Sequence, residues 1–355
     1  MKPKRIGYSC WGFLGNGIVD TPDGGRSHRI TLIKALLKRG HQVIMLQQDR
    51  DLLEANELIR IGQTYDLGFP EIDVLFLEWR WLIPGRNDDP SREGYTPDLD
   101  RQRELLRYYG TKVPIVVWDK DQKLYTSPEE DRKLLLRLDT YVLEPSLYPS
   151  APDRTRCLFP VDFSEMPRYM ERGARDIPLI YIGNQYERDD AYYKYLVDAA
   201  RYIDVHVYGK WPRASKTENL YHHGRIGFSE VARLYRRAVA TVLLAPSRYM
   251  RTGQFTQRIF ESIRGGCLPL VPEGYRGSHL LFSGFSRVSS GFDIATRISD
   301  IRTMEDVEWR KFVEEQIVRL WPFDIHFTLK AIEAAANRNV PRFQDLPPIW
   351  VRKVD

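Results

Sequence analysis

The chain has 355 residues, 43% hydrophobic and 28% charged, with a formal net charge of +5 from 53 basic and 48 acidic residues. That length suits two domains, and the balance excludes a disordered, collagenous or disulfide-stapled class. The mild positive charge permits a polyanionic partner without demanding one.

Cys10, Cys157 and Cys267 are far apart, lack metal-type spacing and read as reduced thiols. No apolar run approaches the length of a transmembrane helix, and "MKPKRIGYSCWG" enters a strand pattern without a signal-peptide core. A cytoplasmic protein with no membrane contact is expected. "RIGYS" (5–9) reads as the first strand, and "WGFLGNGIVDTPDGG" (11–25) as a glycine-rich loop. From His28 to Arg39 the residues Ile30, Ile33, Leu36 and Leu37 recur at helical spacing, with Gly40 as a stop. "QVIMLQ" (42–47), "DVLFLEW" (73–79), "PIVVWD" (114–119) and "TYVLE" (140–144) are apolar runs of strand length. Helical segments lie between them, so a parallel sheet covered on both faces is expected.

Residues 150–178 lose the rhythm; prolines and charges mark a linker. Alternation restarts with "LIYIG" (179–183), a helix at 189–203 and "VHVYG" (205–209). "SEVARLYRRA" (229–238) reads as a helix with Ser229 as N-cap. "TVLLA" (241–245) and "CLPLV" (267–271) are strands around a helix at 255–266, and 326–338 is a closing helix. The pattern predicts an α/β protein of two Rossmann-like halves. These are an N-terminal domain (1–160), a linker (161–178), a second domain (179–325) and a C-terminal helix and tail (326–355) that packs back on the first domain. Open α/β sheets bind ligands at the C-terminal ends of their strands, and two such domains facing one another would form a cleft.

Three clusters carry candidate chemistry. "GGRSHRI" places Gly25 and Arg26 before a helix and His28 in its first turn. Amide groups there favour an anion or sugar, and an imidazole suits proton transfer, although it equally suits a helix cap. "TGQFTQRIFESIRGG" puts Arg258 and Glu261 three apart on one helix face. The pair fits phosphate and ribose hydroxyls, or an exposed ion pair of little worth. "EWRWLIPGR" sets Trp79, Arg80 and Arg86 after a strand, where rings and guanidinium groups hold bases, sugars and phosphates, or simply pack. Asp119 and Asp121 in "DKDQ" are too few for a metal site.

"GG…H…L…LL..RGHQV" near the start and "R.FE.I..GC.PLV" near the end resemble the GT-B glycosyltransferases, two Rossmann-like domains with the nucleotide sugar in the second and the acceptor at the first. Glu261 falls on the later of two glutamates that many retaining members carry eight apart; Gly253 stands at the earlier position. The sequence is more closely similar to the DNA β-glucosyltransferases of T-even bacteriophages. The segments concerned are "VPIVVWDKDQKL" (113–124), "FPVDF" (159–163), "LIYIGNQYER" (179–188), "HHGRIGFSEVARLYRRAVATVLLA" (222–245) and "FTQRIFESI" (255–263). The resemblance implies an inverting transfer from a nucleotide sugar, UDP-glucose first, to a hydroxymethylated pyrimidine such as hydroxymethylcytosine in DNA. The chain would then act as a monomer in the cytoplasm of a phage-infected host, with a divalent cation allowed but not required. By the same resemblance Asp119 is the catalytic base, with His28 as its competitor. The donor would be held by Gly183, Asn184, Arg188, Gly209, Ile226, Phe228, Arg258 and Glu261. The acceptor would be held by Gly25, Arg26, Trp79, Arg80, Arg86 and Asp121. Tyr186 and Asp190 occupy the places of the phage arginine pair, and His28 that of an acidic residue. The alternatives are a transferase acting on a metabolite or polysaccharide, and a non-catalytic sugar-nucleotide or DNA-binding module.

Overall fold

The computed structural model describes residues 2–19, 23–85, 87–92, 95–136, 139–167, 170, 175–215 and 217–339. They form two compact units. Unit 1 comprises the described residues among 2–17, 23–160 and 325–339. Its elements are β1 (Arg5–Ser9), α1 (Arg26–Lys38), β2 (Gln42–Met45), α2 (Arg50–Ala55), β3 (Thr64–Tyr65), β4 (Val74–Glu78), α3 (Asp98–Tyr109), β5 (Ile115–Trp118), α4 (Glu129–Leu136), β6 (Thr140–Glu144) and β7 (Arg154–Arg156). Among the described residues the strands make one seven-stranded parallel sheet, ordered β3-β2-β1-β4-β5-β6-β7.

The two-residue period of a strand decides which face each residue serves. In β4, Val74 and Phe76 enter one core with Leu32, Ile33 and Leu36 of α1. Leu75 and Leu77 enter the other, with Leu99, Leu105 and Leu106 of α3. All five β4 residues are buried, as expected of a strand covered on both sides. β5 repeats the split: Val116 and Trp118 join the first core, Ile115 and Val117 the second. The last helix of the chain supplies Leu329, Ile332, Ala335 and Ala336 to the first core.

Unit 2 comprises the described residues among 18–19 and 161–324. It contains β8 (Ile177–Ile182), α5 (Asp189–Ala191) running on as a π-helical turn (Tyr192–Val197), β9 (Val205–Tyr208), β10 (Leu220–His222), α6 (Phe228–Arg237) and β11 (Ala238–Val242). Then follow α7 (Ser247–Thr252), α8 (Arg258–Arg264), β12 (Leu268–Pro272), α9 (Ser278–Leu281), β13 (Arg287–Val288), α10 (Gly291–Thr303) and α11 (Asp306–Arg319). Its described strands form a six-stranded parallel sheet, β10-β9-β8-β11-β12-β13. The closing helix of the chain, α12 (Ile325–Ala336), belongs to unit 1.

Some local expectations give way. The linker region holds β7, because Arg154 enters the sheet edge through ion pairs rather than through an apolar side chain. The N-cap of α6 is Gly227 and makes no side-chain cap bond; Ser229 lies inside the first turn. The strand expected at 241–245 starts three residues earlier, and α7, which the sequence pattern does not announce, follows it.

Candidate functional site

In unit 2 the C-terminal ends of β8 and β9 meet through two glycines. Gly209 has φ of +129°, and a Cβ there would lie 2.3 Å from the Gly183 carbonyl oxygen, so only glycine fits. The Gly183 amide donates to the Tyr208 carbonyl at 2.8 Å. The Trp211 indole donates to the Gly183 carbonyl at 2.8 Å, and the Lys210 amide to Asn184 Oδ1 at 2.8 Å. These bonds stitch the two turns into one floor.

Two arginines converge above that floor. Arg258, the first residue of α8, donates Nε to the Ile182 carbonyl at 2.7 Å and lies 5.5 Å from the Tyr181 ring centre. Arg188 donates to the Tyr181 hydroxyl. A Cβ on Gly183 would meet Arg258 Nη2 at 2.6 Å, so the bare glycine makes room for the guanidinium. Burial works against the charge on Arg258, but Tyr181, Tyr235 and Glu261 outweigh it and hold its pKa above the usual value. Glu261 lies one turn along α8 and is half-buried. Ile226 and Phe228 pack beside Ile182 and Tyr208. The donor-side residues named from the sequence therefore gather at one strand edge. Such an edge offers two cations, an apolar shelf and a carboxylate.

Unit 1 ends its strands differently. Glu78 closes β4 and is fully buried. It takes both Nε and Nη2 of Arg29, at 3.0 and 2.7 Å, and accepts from the Tyr8 hydroxyl and Lys120 Nζ. Arg29 also pairs with buried Asp23. Burial alone would raise the Glu78 carboxyl, but Arg29 and Lys120 bring it down to about 2; Asp23 is depressed by the same two cations against the same burial cost. Sequence reading missed this network, for Glu78 and Arg29 lie 49 positions apart.

The acceptor-side candidates make mostly internal contacts. A Cβ on Gly25 would meet Arg29 Nη2 at 2.3 Å, so the bare glycine makes room for that guanidinium. Arg26 is buried, donating to the Asp23 and Asn16 carbonyls. Trp79 is buried, with its indole on Ser127 Oγ at 3.0 Å. Arg80 is 3% exposed, 4.0 Å from the Trp11 ring centre, with Nε 3.8 Å from Asp98. Asp121 is half-buried and accepts from the Trp81 indole at 3.3 Å. Arg86 lies outside the described residues.

Asp119 stands just past β5, and its carboxylate is fully enclosed. It accepts from the Lys123 amide at 2.9 Å, the Leu124 amide at 3.0 Å and Arg154 at 2.7 Å. Arg154 also holds Glu144, the last residue of β6, at 3.2 Å. His28 is the contrast. It is 1% exposed, and neither ring nitrogen has a hydrogen-bond partner among the described residues. Its ring centre lies 5.2 Å from that of Trp118 and 5.0 Å from that of Phe159. Burial, then the charge of Lys120, pushes its pKa well below the usual value, so the ring is neutral.

Among the described residues no group of three or more His, Cys, Asp or Glu is placed to hold a metal ion. None of their helices is long and apolar enough to cross a membrane.

A family model described as glycosyl transferase-like matches residues 188–319, the greater part of unit 2. No curated protein matches the chain in sequence. Among solved structures, the chain is similar to T4 phage BGT in complex with UDP and Mn2+, with a TM-score of 0.66 and 12% identity over 94% of this chain and 99% of that one. It is similar to the DNA modifying enzyme β-glucosyltransferase, solved in the presence and absence of its substrate uridine diphosphoglucose, with a TM-score of 0.64, 13% identity and the same coverage. A glycosyltransferase involved in avilamycin A biosynthesis follows at a TM-score of 0.52 and 14% identity, over 95% of this chain and 98% of that one. The chain has the GT-B fold expected from its sequence, and unit 2 carries a glycosyl transferase-like domain.

Proposed function

We propose that the chain is a nucleotide-sugar-dependent glycosyltransferase whose donor binds unit 2. The observation that carries the reading is the convergence of Arg188 and Arg258 on Tyr181 above Gly183. Paired guanidinium groups at a strand edge suit a diphosphate, whose charge grows as the sugar departs. Ile226 and Phe228 would receive the base and Glu261 the ribose hydroxyls. UDP-glucose is the donor to test first, because solved structures of the similar phage enzyme hold UDP or UDP-glucose. The described residues form no cage for a divalent cation, and no step is assigned to one.

On the acceptor side we propose His28 as the base in a single inverting displacement. The acceptor oxygen bonds to the anomeric carbon, the bond to the diphosphate breaks, and the hydroxyl proton passes to an imidazole nitrogen. His28 is neutral and its ring nitrogens lack partners, whereas Asp119 already accepts two amides and an arginine. Because His28 is enclosed, an acceptor reaches it only if the surrounding rings move.

The acceptor proposed first is a hydroxymethylated pyrimidine in DNA, by similarity to the phage DNA-modifying enzyme. A metabolite or polysaccharide acceptor is the second reading, favoured by the internal positions of Trp79 and Arg80. Incubation of hydroxymethylated duplex oligonucleotides with a panel of nucleotide sugars, read by mass spectrometry, decides between them. A hexose mass increment on DNA supports the first. Donor hydrolysis or transfer to small acceptors with unmodified DNA supports the second. No turnover of any nucleotide sugar removes both and promotes a binding module.

A further inference from the structure

Arg188 and Arg258 share their rim with a third arginine that is already holding an anion. Arg248, in α7 after β11, pairs with Glu187, the residue before Arg188 in the turn after β8. β8 and β11 are neighbours in the sheet, so the pair spans two adjacent strand ends. Arg248 lies 4.8 Å from the Tyr249 ring centre and 5.9 Å from that of Tyr186. Tyr249 acts electrostatically on Arg258, and Arg188 and Arg258 both act on buried Tyr275. Tyr275 donates its hydroxyl to the Gln254 carbonyl, and the Gln254 amide donates to the Tyr249 carbonyl at 2.9 Å. Arg248 and Arg258 thus have Tyr249 as a common neighbour, and Arg188 and Arg258 have Tyr181. Glu187 reaches Arg248 from a left-handed backbone, φ +50°, that ordinary residues avoid.

We infer that Arg248 is a third cation of the diphosphate site and that Glu187 is its internal stand-in, a carboxylate that neutralises the arginine until a donor diphosphate displaces it. The chemistry follows from charge alone. A carboxylate and a phosphate compete for the same fork of donors, and the phosphate brings more charge and more acceptor oxygens. The Glu187 side chain is 42% exposed and that of Arg248 15%. The carboxylate is therefore the partner water can readily receive on displacement.

This rests on the donor site proposed above, and the test separates the two. Binding of UDP and of uridine is measured calorimetrically for the unaltered protein, Glu187→Gln, Arg248→Gln and Arg248→Lys. Removing the competing carboxylate should tighten UDP about 2–5-fold, the worth of a partly exposed pair, and leave uridine unchanged. Arg248→Gln should weaken UDP at least about tenfold, as loss of a charge-assisted contact does, again with uridine unchanged, and Arg248→Lys should fall between. The opposite signs are diagnostic, because a pair that merely ties α7 to the turn would weaken UDP in both variants. Weakening by Glu187→Gln, or no response to Arg248→Gln in a protein that prefers UDP to uridine, overturns the stand-in. An unaltered protein that binds UDP no better than uridine overturns the diphosphate site itself.

Discussion

Asp119→Asn and His28→Ala separate the two candidate bases by what each disturbs. Asp119 is fully enclosed, and its carboxylate is the shared acceptor of two amides and Arg154. An asparagine keeps the shape but turns an NH2 group or a neutral oxygen toward a buried guanidinium. Breaking a buried ion pair from one side costs about 3–5 kcal/mol. In a domain of 150–250 residues each kcal/mol moves Tm by roughly 2–4 °C, so Asp119→Asn should lower Tm by about 6–20 °C. Turnover per folded molecule should survive. His28→Ala should do the reverse, cutting kcat by about 10²–10⁴-fold, the usual contribution of a general base, while donor KM stays put. Differential scanning calorimetry and steady-state kinetics on the donor found in the panel assay read both. The kcat profile adds a third arm. His28 is held neutral far below its free pKa by burial and by Lys120, so the acid limb should lie well below pH 6.5. An Asp119→Asn protein with unchanged Tm and kcat reduced by about 10²-fold or more would refute the reasoning and return the base to Asp119. An acid limb at or above 6.5, the ordinary histidine value, would remove His28.

Three further outcomes follow from the same geometry. Glu261→Ala should raise the Kd for UDP-glucose about tenfold or more, the value of a charged hydrogen bond, and not that for inorganic pyrophosphate; equal losses for both ligands would remove the ribose role. Gly209→Ala should abolish donor binding or lower Tm sharply, because the added carbon meets the Gly183 carbonyl in a backbone region alanine avoids; a variant with normal Tm and UDP affinity contradicts the stitched floor. Glu78 has a folded pKa of about 2 against an ordinary 4.5, so its contribution to stability is present above pH 4.5 and lost as pH falls through that window. Melting curves should show Tm falling between about pH 4.5 and 2, and Glu78→Gln should flatten that slope; parallel slopes would show that Glu78 is not the titrating group.

The elements legible in the sequence were those whose burial is apolar and two-sided. β4 and β5 announce themselves as unbroken apolar runs because both sheet faces are covered. β7, with the sequence Arg-Thr-Arg, gives no such signal, since what buries Arg154 is a pair of carboxylates 35 and 10 positions away. α7 was equally hidden: "SRYMRT" has no apolar stripe, and Tyr249 alone in that helix is buried. The donor-side candidates lie together because they follow strand ends, and topology brings strand ends together whatever their spacing. The acceptor-side candidates have internal partners that no local pattern reveals. "GGRSH" and "EWRW" look like ligand-facing polar motifs, yet Gly25 makes room for Arg29, and Trp79 and Arg80 are committed to internal contacts. Nothing local in a sequence distinguishes a polar group facing a ligand from one facing a distant charge.

The polar residues at the strand ends of unit 1 show what such internal commitment achieves. Glu78, Asp119 and Glu144 sit at or just past the C-terminal ends of three adjacent strands, each buried and each held by a cation. Buried pairs of this kind seldom add net stability over apolar packing. What they do supply is fixed charge in a medium that screens it weakly. Lys120 is the consequential member. It neutralises Glu78 and at the same time acts on His28, adding to the burial that keeps the imidazole uncharged. In the proposed role as base, His28 must hold a free lone pair when the acceptor arrives, and an exposed histidine near neutrality would hold it only part of the time. Placing the ring among Trp118, Phe159 and a fixed ammonium removes that ambiguity, while leaving two buried nitrogens without partners. A hydroxyl donated by an acceptor is the group that would relieve it.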